Sequence, residues 1–530
     1  MALKQVASGA EIDEKLAALL TNANAVRAIA SAVEGTIGPK GLNTLLVDRF
    51  GDVTITNDGV TILTKMDVNH PAAKMVINVA KAQEEEVGDG TTTATIMAGA
   101  LLTEGVNQAV RGVPVTRIVE GVRLGISRAI AIMESRSRPI SGVDDPLLKQ
   151  VAFVAGRENE DIADLVVKAA GLVGREKLLD PTFKLSDTVV AKEGASNEVF
   201  MGVVVDKERT NKEMPREVAP ARVLVVDDAL EPEEMEEEAL GTEAGFNRYM
   251  QLQEEFRANV RKLTSLGVNF VVVDRGVDAM AEEMLTDAGV MILQRVSSRE
   301  LRQVAEHTGA RAIKRTALRK EPQDLEKYLG AAERVFEDEK LKHVRVIGGK
   351  GKPMATVLVG AATEEVVGER DRIARDATSA VQAAVQGGVV PGGGAIELAV
   401  AREIENLRSS VRGMAAYGVD CVAEALKKPL SQIVANAGFN PLEKVGDAVA
   451  AQVEQGSYAL AIDCDTGEVV DMFAAGVIDP TRVKTYALKA AGEIAEAILR
   501  IDTIIKKKDE GGTGREAGEE AGRPEAELDF

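Results

Sequence analysis

Aromatic residues, cysteines and histidines are scarce in this chain. Its sequence contains no Trp, only 3% aromatic residues, two Cys and three His. The two cysteines, Cys421 and Cys464, are too few for a disulfide framework or a cysteine-based zinc site. His70, His307 and His343 are scattered and do not have the spacing of metal ligands. The cores must therefore be aliphatic, built from Ala, Val, Leu, Ile and Met.

Basic charge and long apolar runs are also in short supply. Lys and Arg number 64 against 84 Asp and Glu, which gives a net charge of −20 at pH 7. This balance argues against nucleic acid as the main ligand, because phosphate backbones bind basic surfaces. No apolar run approaches the length that crosses a bilayer, and residues 1–9 do not have the pattern of a signal peptide. We therefore expect a cytoplasmic protein without a membrane partner, and a length of 530 residues allows two to four domains.

The chain has no P-loop either. The run GGKGK at residues 348–352 is followed by Pro353, so it lacks both the spacing and the Ser or Thr of that motif. We interpret it as a flexible basic loop. A nucleotide site in this chain must be built in another way.

Residues 87–95, which read VGDGTTTAT, are the most informative stretch that is present. Apolar periodicity predicts a helix over 72–86 and a second helix over 93–109. The glycines between them let backbone N–H groups approach an anion, and the second helix adds its unpaired first amides. Asp89 is a hard oxygen ligand of the kind that Mg²⁺ prefers beside phosphates. The alternative is an ordinary link between two helices with a Thr cap.

Four other segments also place glycines or acidic residues in turns beside predicted helices or strands. Residues 34–41 form a glycine-bearing turn after a helix, and residues 54–63 predict a β hairpin whose turn is Asn57-Asp58-Gly59. Residues 387–395 form a glycine-rich loop that opens a helix, and residues 476–480 place an acid just before a helix start.

These segments lie near both ends of the chain, whereas the middle differs in pattern. Short β-branched runs at 188–205, 222–227 and 267–274 predict buried strands between helices. If the terminal motifs form one site, the chain must leave a domain and return to it. We therefore expect an α/β module inserted into a mostly helical one.

Together and in this order, the five motifs resemble the ATP-binding elements of the chaperonins, the double-ring protein-folding machines. The resemblance runs from about residue 10 to residue 506. Residues 57–59, 391–394, 467–472 and 499–502 look like the archaeal and eukaryotic group II pattern, whereas residues 360–364 look more like the bacterial group I pattern. The mixture resembles the group II-like chaperonins of some bacteria, sometimes called group III, or the archaeal thermosomes.

The resemblance implies a multidomain fold. A mostly α-helical equatorial ATPase domain would comprise residues 1–140 and 387–530, with a disordered tail at 507–530. An α/β intermediate hinge domain would comprise 141–201 and 363–386. An α/β apical substrate-binding domain would cover 202–362.

The segment near 230–265 has two interpretations. Its residues from Phe246 to Leu263 recur at spacings of three and four, so it is either an amphipathic helix docked on the apical core or a helical protrusion that acts as a built-in lid. Its position in the family favours the lid.

The same resemblance assigns residues to the site. Asp89 would hold Mg²⁺, Asp58 would orient the attacking water, and Asp376 would be the intermediate-domain carboxylate that moves onto the nucleotide. For Asp376 the alternative is an i,i+4 partner of Arg372. Group II members typically have Lys where Arg157 stands, as a sensor of the γ-phosphate. The nucleotide-binding set is Ile37, Gly38, Pro39, Asn57, Gly90, Thr91, Thr92, Thr93, Arg157, Gly393, Ile478 and Asp479, with Asp479 accepting from ribose hydroxyls.

The function implied is an ATP-dependent chaperonin that encloses and folds non-native proteins. The resemblance implies ATP and Mg²⁺ as cofactors, with K⁺ as a further ion. It also implies a homo-oligomeric double ring, eightfold by preference, with no separate co-chaperonin. Two alternatives stay open at this point: a small-molecule phosphotransfer enzyme, and a nucleotide-dependent structural ring without folding activity.

Overall fold

The computed structural model describes residues 11–12, 15–51, 53–233 and 242–506. The tail predicted to be disordered lies outside the described residues, as does most of the acidic run at 231–238. Within the described residues, no helix is long and apolar enough to span a membrane.

The N-terminal part is helical apart from short strands. Its elements are β1 (Glu11–Ile12), α1 (Lys15–Glu34), β2 (Thr44–Val47), β3 (Val53–Thr56), α2 (Gly59–Lys65), α3 (Pro71–Glu86), α4 (Thr91–Val110) and α5 (Val115–Ser135). The predicted helices at 72–86 and 93–109 are thus confirmed as α3 and α4.

The middle part alternates helices and strands. Its helices are α6 (Pro146–Ala155), α7 (Glu160–Val173), α8 (Arg175–Leu178), α9 (Glu243–Ser265), α10 (Ala279–Asp287), α11 (Ser298–Thr308), α12 (Pro322–Leu325) and α13 (Glu364–Gly387). Its strands are β4 (Val189–Glu193), β5 (Glu198–Val205), β6 (Glu217–Val218), β7 (Ala221–Val226), β8 (Phe270–Val273), β9 (Met291–Leu293), β10 (Gly330–Ala332), β11 (Arg334–Asp338), β12 (His343–Ile347) and β13 (Ala355–Ala361).

The C-terminal part returns to helices. Its elements are β14 (Val389–Pro391), α14 (Ala395–Arg408), α15 (Ala415–Asn436), α16 (Pro441–Glu454), β15 (Leu460–Ile462), β16 (Val469–Asp471), β17 (Ile478–Pro480), α17 (Thr481–Leu499) and β18 (Ile505–Lys506).

Both ends of the chain contribute to one helical core. α4 packs against α1, α3, α15 and α17, and β1 pairs with β18. Buried side chains such as Met97 and Val122 from the first part meet Val422 and Leu488 from the last part in one aliphatic cluster. Burial of this apolar area is the main force that closes the chain on itself. The predicted return of the chain to its starting module is therefore present in the fold.

Two sheets organise the middle part. Strands β7, β8 and β9 run parallel, with β10 antiparallel at one edge, and a six-stranded sheet has the order β4-β13-β5-β12-β11-β6. The residues of β8 are all buried, which explains their unbroken apolar run. The β runs predicted at 188–205, 222–227 and 267–274 are confirmed as strands of these sheets.

The predicted hairpin at residues 54–63 is wrong in its position. The strands β2 and β3 pair from Thr44 to Thr56, and the chain turns between Val47 and Val53. The run after Asp58 is the helix α2 instead. Asp58 caps that helix, and Ile62 is buried in the core, so burial on a helical period outweighs the β propensity of this run.

The helix α9 confirms in part the docked-helix interpretation of the segment near 230–265, whereas the lid stays a prediction. Its C-terminal half buries Phe256 and Val260 among the residues that cover β7 and β8. Its N-terminal half exposes Phe246 and Met250, whose relative exposures are 55% and 53%. Only half of the helix is therefore docked on the core.

Candidate nucleotide site

The loop around Asp89 joins α3 to α4. Gly88 and Gly90 have φ values of 73° and 82°, in the region that favours glycine. A Cβ on Gly90 would lie 2.6 Å from Cγ1 of Val483, so α17 also requires a glycine here. The amide of Gly90 donates to Oδ1 of Asp89 (2.6 Å), and Nε2 of Gln83 donates to the Asp89 carbonyl (2.6 Å). The loop is thus fixed from both sides.

The start of α4 has the character of an anion site. Gly90 is its N-cap and supplies no side-chain hydrogen bond, so the Thr cap of the alternative interpretation is wrong. The first amides of α4 are left for a ligand, and the helix dipole adds positive potential. Thr91 is buried, whereas Thr92 and Thr93 are partly exposed.

Asp58 lies against the same loop. Its Oδ1 accepts from the hydroxyl of Thr91 (3.4 Å), and a Cβ on Gly59 would lie 2.6 Å from Oγ1 of Thr92. Its carboxylate also accepts from the amides of Val60 (3.3 Å) and Thr61 (3.0 Å). These contacts fix the orientation of the Asp58 carboxylate beside the threonines.

Asp376 reaches the site from α13, which packs against α6, α7 and α17. Its side chain is 18% exposed, and its Oδ2 lies 3.4 Å from Nη2 of Arg157. Burial and the negative charges of Asp89 and Asp58 raise the pKa of Asp376, although Arg157 opposes the shift. The interpretation of Asp376 as a partner of Arg372 is wrong, because Nη2 of Arg372 pairs with Oε2 of Glu369 at 2.7 Å.

Arg157 lies in a tight turn between α6 and α7. Arg157 and Glu158 have φ values of 53° and 61°, which is unusual for residues with a side chain. The Asn159 amide group donates to the carbonyls of Gly156 (2.8 Å) and Arg157 (3.1 Å) and so fixes the turn. The guanidinium donates to Glu369 and to Asp376, both on α13.

Asp479 and the glycine-rich loop meet through a strand pair. β14 pairs with β17, so that Val390 lies opposite Asp479. Gly393 and Gly394 follow β14 with φ values of 61° and 82°. The Oδ2 of Asp479 lies 2.7 Å from Nζ of Lys484, on the first turn of α17.

The turn with Ile37, Gly38 and Pro39 lies at the end of α15. The Asn436 amide group donates to the carbonyl of Ile37 (2.9 Å), and Gly38 has a φ of 86°. A Cβ on Gly38 would lie 3.1 Å from the Ile433 side chain. Nζ of Lys40, in the same turn, lies 2.5 Å from Oδ1 of Asp465, and this contact raises the pKa of Lys40.

Negative charge accumulates around the Asp89 loop. Burial raises the pKa of Glu84 to about 7, with further contributions from Asp58 and Asp89. Burial and the charge of Asp479 raise the pKa of Asp89 to about 6, against the opposing effects of the Gly90 amide and Lys484. Partly buried carboxylates that repel one another favour a positive ligand.

The residues present fit a magnesium–nucleotide group. Among the described residues, no three His, Cys, Asp or Glu side chains form a cluster that could hold a metal ion by themselves. Mg²⁺ usually takes one or two carboxylates, with substrate phosphates and water as its other ligands. Asp89 beside the open amides of α4 matches that requirement.

Three residues of this region were missed by sequence reasoning. Glu84, Glu397 and Lys484 are ordinary charged positions of helices in the sequence. The only available signal was the place of Lys484 one turn after the acid of residues 476–480. Their burial depends on distant parts of the chain, which no local pattern records.

Comparison with known proteins identifies the family of this chain. The model of the TCP-1/cpn60 chaperonin family matches residues 29–509. The thermosome subunit beta of Archaeoglobus fulgidus is 38% identical over 524 residues, which cover 95% of this chain and 94% of that protein. A thermosome subunit of Methanopyrus kandleri is 36% identical over 507 residues, with 92% of each chain covered.

A solved structure agrees with the sequence relatives. A crystal structure of a group III chaperonin in the open state is 47% identical and superposes with a TM-score of 0.83, covering 93% of this chain and 99% of that one. The resemblance stated from the sequence motifs is confirmed. This chain belongs to the TCP-1/cpn60 chaperonin family and is similar to its group II-like, thermosome-like members.

Proposed function

We propose that this chain, an ATP-dependent chaperonin, hydrolyses ATP at the Asp89 loop and encloses non-native proteins in a double-ring chamber. The observation that carries the proposal is the convergence of Asp58, Asp89 and Asp376 from three separate elements beside the open N-terminus of α4. The family and its thermosome relatives favour this function over the two alternatives, a small-molecule phosphotransfer enzyme and a structural ring without folding activity.

Each residue of the proposed site would have a separate role in ATP hydrolysis. Asp89 would hold Mg²⁺, which when bound neutralises phosphate charge. The amides of α4 and the hydroxyls of Thr91, Thr92 and Thr93 would bind phosphate oxygens. Asp58, fixed by its amide contacts, would orient water for in-line attack, and Asp376 would accept its proton. Phosphoryl transfer needs positioning and charge neutralisation more than covalent chemistry.

Other residues would contact the rest of the nucleotide. These are Asn57, Ile37, Gly38, Pro39, Gly393, Ile478 and Asp479. Arg157 would bind the γ-phosphate, and K⁺ is a further candidate ion beside Mg²⁺.

The route of Asp376 to the site supports coupling between hydrolysis and closure. We assign residues 1–140 and 387–530 to an equatorial domain, 141–201 and 363–386 to an intermediate hinge, and 202–362 to an apical domain. Asp376 and Arg157 would then belong to the hinge, and Asp58 and Asp89 to the equatorial domain. Hydrolysis would require the hinge to close on the nucleotide.

The exposed half of α9 supports a built-in lid. Phe246 and Met250 are exposed on a helix that starts just after the undescribed residues 234–241. A ring of such helices would close the chamber, so no separate co-chaperonin would be needed. Eightfold rings and a cytoplasmic location remain predictions from the sequence.

The test is ATP-dependent refolding of a denatured enzyme without any co-chaperonin. We expect recovery with the wild type and none with Asp376→Ala. Arg372→Ala, on the same helix and one turn away, is the matched control and should refold the client. If the wild type hydrolyses ATP but recovers nothing, either a separate lid protein is missing or the ring does not fold proteins, and the built-in lid is the first claim to abandon.

A further inference from the structure

A buried ion triad lies behind the glycine-rich loop. Nζ of Lys484 lies 2.7 Å from Oδ2 of Asp479 and 2.8 Å from Oε1 of Glu397. The side chain of Glu397 is fully buried, and those of Lys484 and Asp479 are 9% and 20% exposed. Lysine and glutamate are almost never buried this deeply unless they are paired.

Two strands and two helix starts bring the triad together. β14 leads into α14, whose first turn bears Glu397, and β17 leads into α17, whose first turn bears Lys484. The strands pair antiparallel, and the side chain of Lys484 reaches from α17 to Glu397 on α14. Each carboxylate lies near the N-terminus of the helix that follows its strand, where the helix dipole favours negative charge, and Lys484 contacts both.

Lys484 is the main compensation for these charges. The Glu397 oxygens make no hydrogen bond of good geometry within the described residues, so the ionic contact with Lys484 is what stabilises them. Both carboxylates raise the pKa of Lys484 against the effect of its burial, so it stays charged. Removing one member of such a group leaves a buried charge uncompensated.

The triad also fixes one oxygen of Asp479. Lys484 binds Oδ2, and a Cβ on Gly392 would lie 2.9 Å from the same atom, so the loop backbone packs directly against it. The carboxylate therefore has a defined orientation, which leaves Oδ1 as the acceptor for a ligand. A carboxylate that is already held in one orientation binds a hydroxyl group more tightly than a mobile one, because less ordering is needed on binding.

The same helical turn supports the Asp89 loop. Val483 packs against Gly90, and Nε2 of Gln83 donates to the carbonyls of both Val483 (3.2 Å) and Asp89 (2.6 Å). The first turn of α17 is therefore a shared support for the ribose end and the phosphate end of the site.

We propose that Lys484, held by the buried Glu397, is a positioning residue that orients Asp479 for recognition of the ribose hydroxyls. The inference rests on the proposed nucleotide site, of which Asp479 is the ribose contact. Lys484 acts through Asp479 and does not itself touch the sugar. Its contribution is therefore visible only when the sugar of the ligand is changed.

The test compares two ligands by isothermal titration calorimetry, ADP and 2′,3′-dideoxy-ADP, both with Mg²⁺. We expect the wild type to prefer ADP by about tenfold, because a hydroxyl that donates to a charged acceptor is lost in the dideoxy compound. Asp479→Asn should reduce this preference to about twofold, and Lys484→Met should do the same. In the Asp479→Asn background, Lys484→Met should cause no further loss.

A matched control separates positioning from general loss of stability. Arg209 and Glu337 form another buried ion pair, with side chains 4% and 3% exposed, in the middle part of the chain. Arg209→Met should lower the melting temperature as Lys484→Met does, yet keep the full preference for ADP. If Lys484→Met does not fold, the double variant Lys484→Met/Glu397→Gln, which removes the fully buried charge of Glu397 together with its partner and leaves only the partly exposed Asp479, must show the same loss of preference.

The possible failures are distinct. A wild type that binds no ADP disproves the proposed nucleotide site. A wild type that binds both ligands equally, or a Lys484 variant that keeps the tenfold preference, overturns the positioning role while the nucleotide site stands.

Discussion

The two halves of the proposed nucleotide site differ in how a cation contacts their carboxylates. Around the Asp89 loop, burial and nearby negative charges raise the pKa values of Glu84, Asp89 and Asp376, and the nearby cation Arg157 is shared with Glu369. Around Asp479, one lysine contacts two carboxylates. The phosphate half thus holds carboxylates that a bound cation would stabilise, whereas the two carboxylates of the ribose half already share a buried lysine before any ligand arrives.

This difference indicates a division of roles. A buried arrangement that is held by its own lysine is rigid and suits recognition of a part of the ligand that does not react. Carboxylates that lack such a lysine change their energy when Mg²⁺ and nucleotide bind, so they suit a step that drives movement of α13. The variants below break or sharpen this contrast.

The largest effect is expected from Asp376→Ala. Loss of a proton acceptor typically slows a reaction by about 100-fold or more. Nucleotide affinity should change little, since Asp376 approaches the site from α13 rather than from the binding loops. Single-turnover hydrolysis and ADP titration measure the two quantities. Equal losses in both would show that Asp376 supports binding rather than the chemical step.

Asp89→Asn should stabilise the free protein but weaken its binding of Mg²⁺-ADP. The free protein should become more stable, because a buried and repelled carboxylate is replaced by a neutral amide. Affinity for Mg²⁺-ADP should fall by about tenfold, as expected for a lost metal ligand. Thermal melts with and without Mg²⁺-ADP measure both effects, and Asp465→Asn, at an exposed ion pair with Lys40, is the control.

In the wild type, the free energy of unfolding should depend on pH through Glu84 by about 1 kcal/mol, once the remaining solvent contact of the side chain is allowed for. Glu84→Gln should remove this contribution. Its pKa is raised from 4.5 to about 7 in the folded protein, by burial and then by Asp58 and Asp89. The folded state therefore binds the proton more tightly, and stability falls as pH rises from about 4.5 to about 7.

The Glu84→Gln variant should match the wild type near pH 4 and exceed it at pH 8. Denaturant unfolding at the two pH values measures this difference. A wild-type advantage at pH 8 would contradict the repulsion that we infer. Some pH dependence should persist in the variant, because the carboxyl groups of Asp89 and Asp376 are also shifted upward.

The smallest effect is expected from Arg157→Lys. Lysine keeps the charge but cannot contact Glu369 and Asp376 through two nitrogens at once. The preference for a non-hydrolysable ATP analogue over ADP should fall by about threefold, which competitive titration measures. If Arg157→Lys prefers the ATP analogue over ADP as strongly as the wild type does, a positive charge at this position is sufficient to bind the γ-phosphate.

Much of the site could be predicted because its motifs are local. The loop of Asp89 lies between two strongly periodic helices, so its place beside a helix start follows from the sequence. The turn at Asn57-Asp58-Gly59 was assigned to a hairpin, since its β-branched neighbours are as typical of a strand as of a buried helix. Asp58 instead caps α2.

The charge-balancing residues could not be predicted, for a physical reason. Lys484 and Glu397 are far apart in sequence and become partners only when β14 pairs with β17. Glu84 stands in a run of three glutamates that is typical of a solvent-facing surface. Its pKa depends on burial by segments that the local sequence does not reveal.

The shared core of the two chain ends has a consequence for synthesis on the ribosome. α17 provides Leu488 to that core, and its first turn supports both Asp89 and Asp479. A nascent chain that has not yet released α17 lacks this support. If the proposed nucleotide site is correct, translation must therefore pass Leu499 before a subunit can respond to ATP.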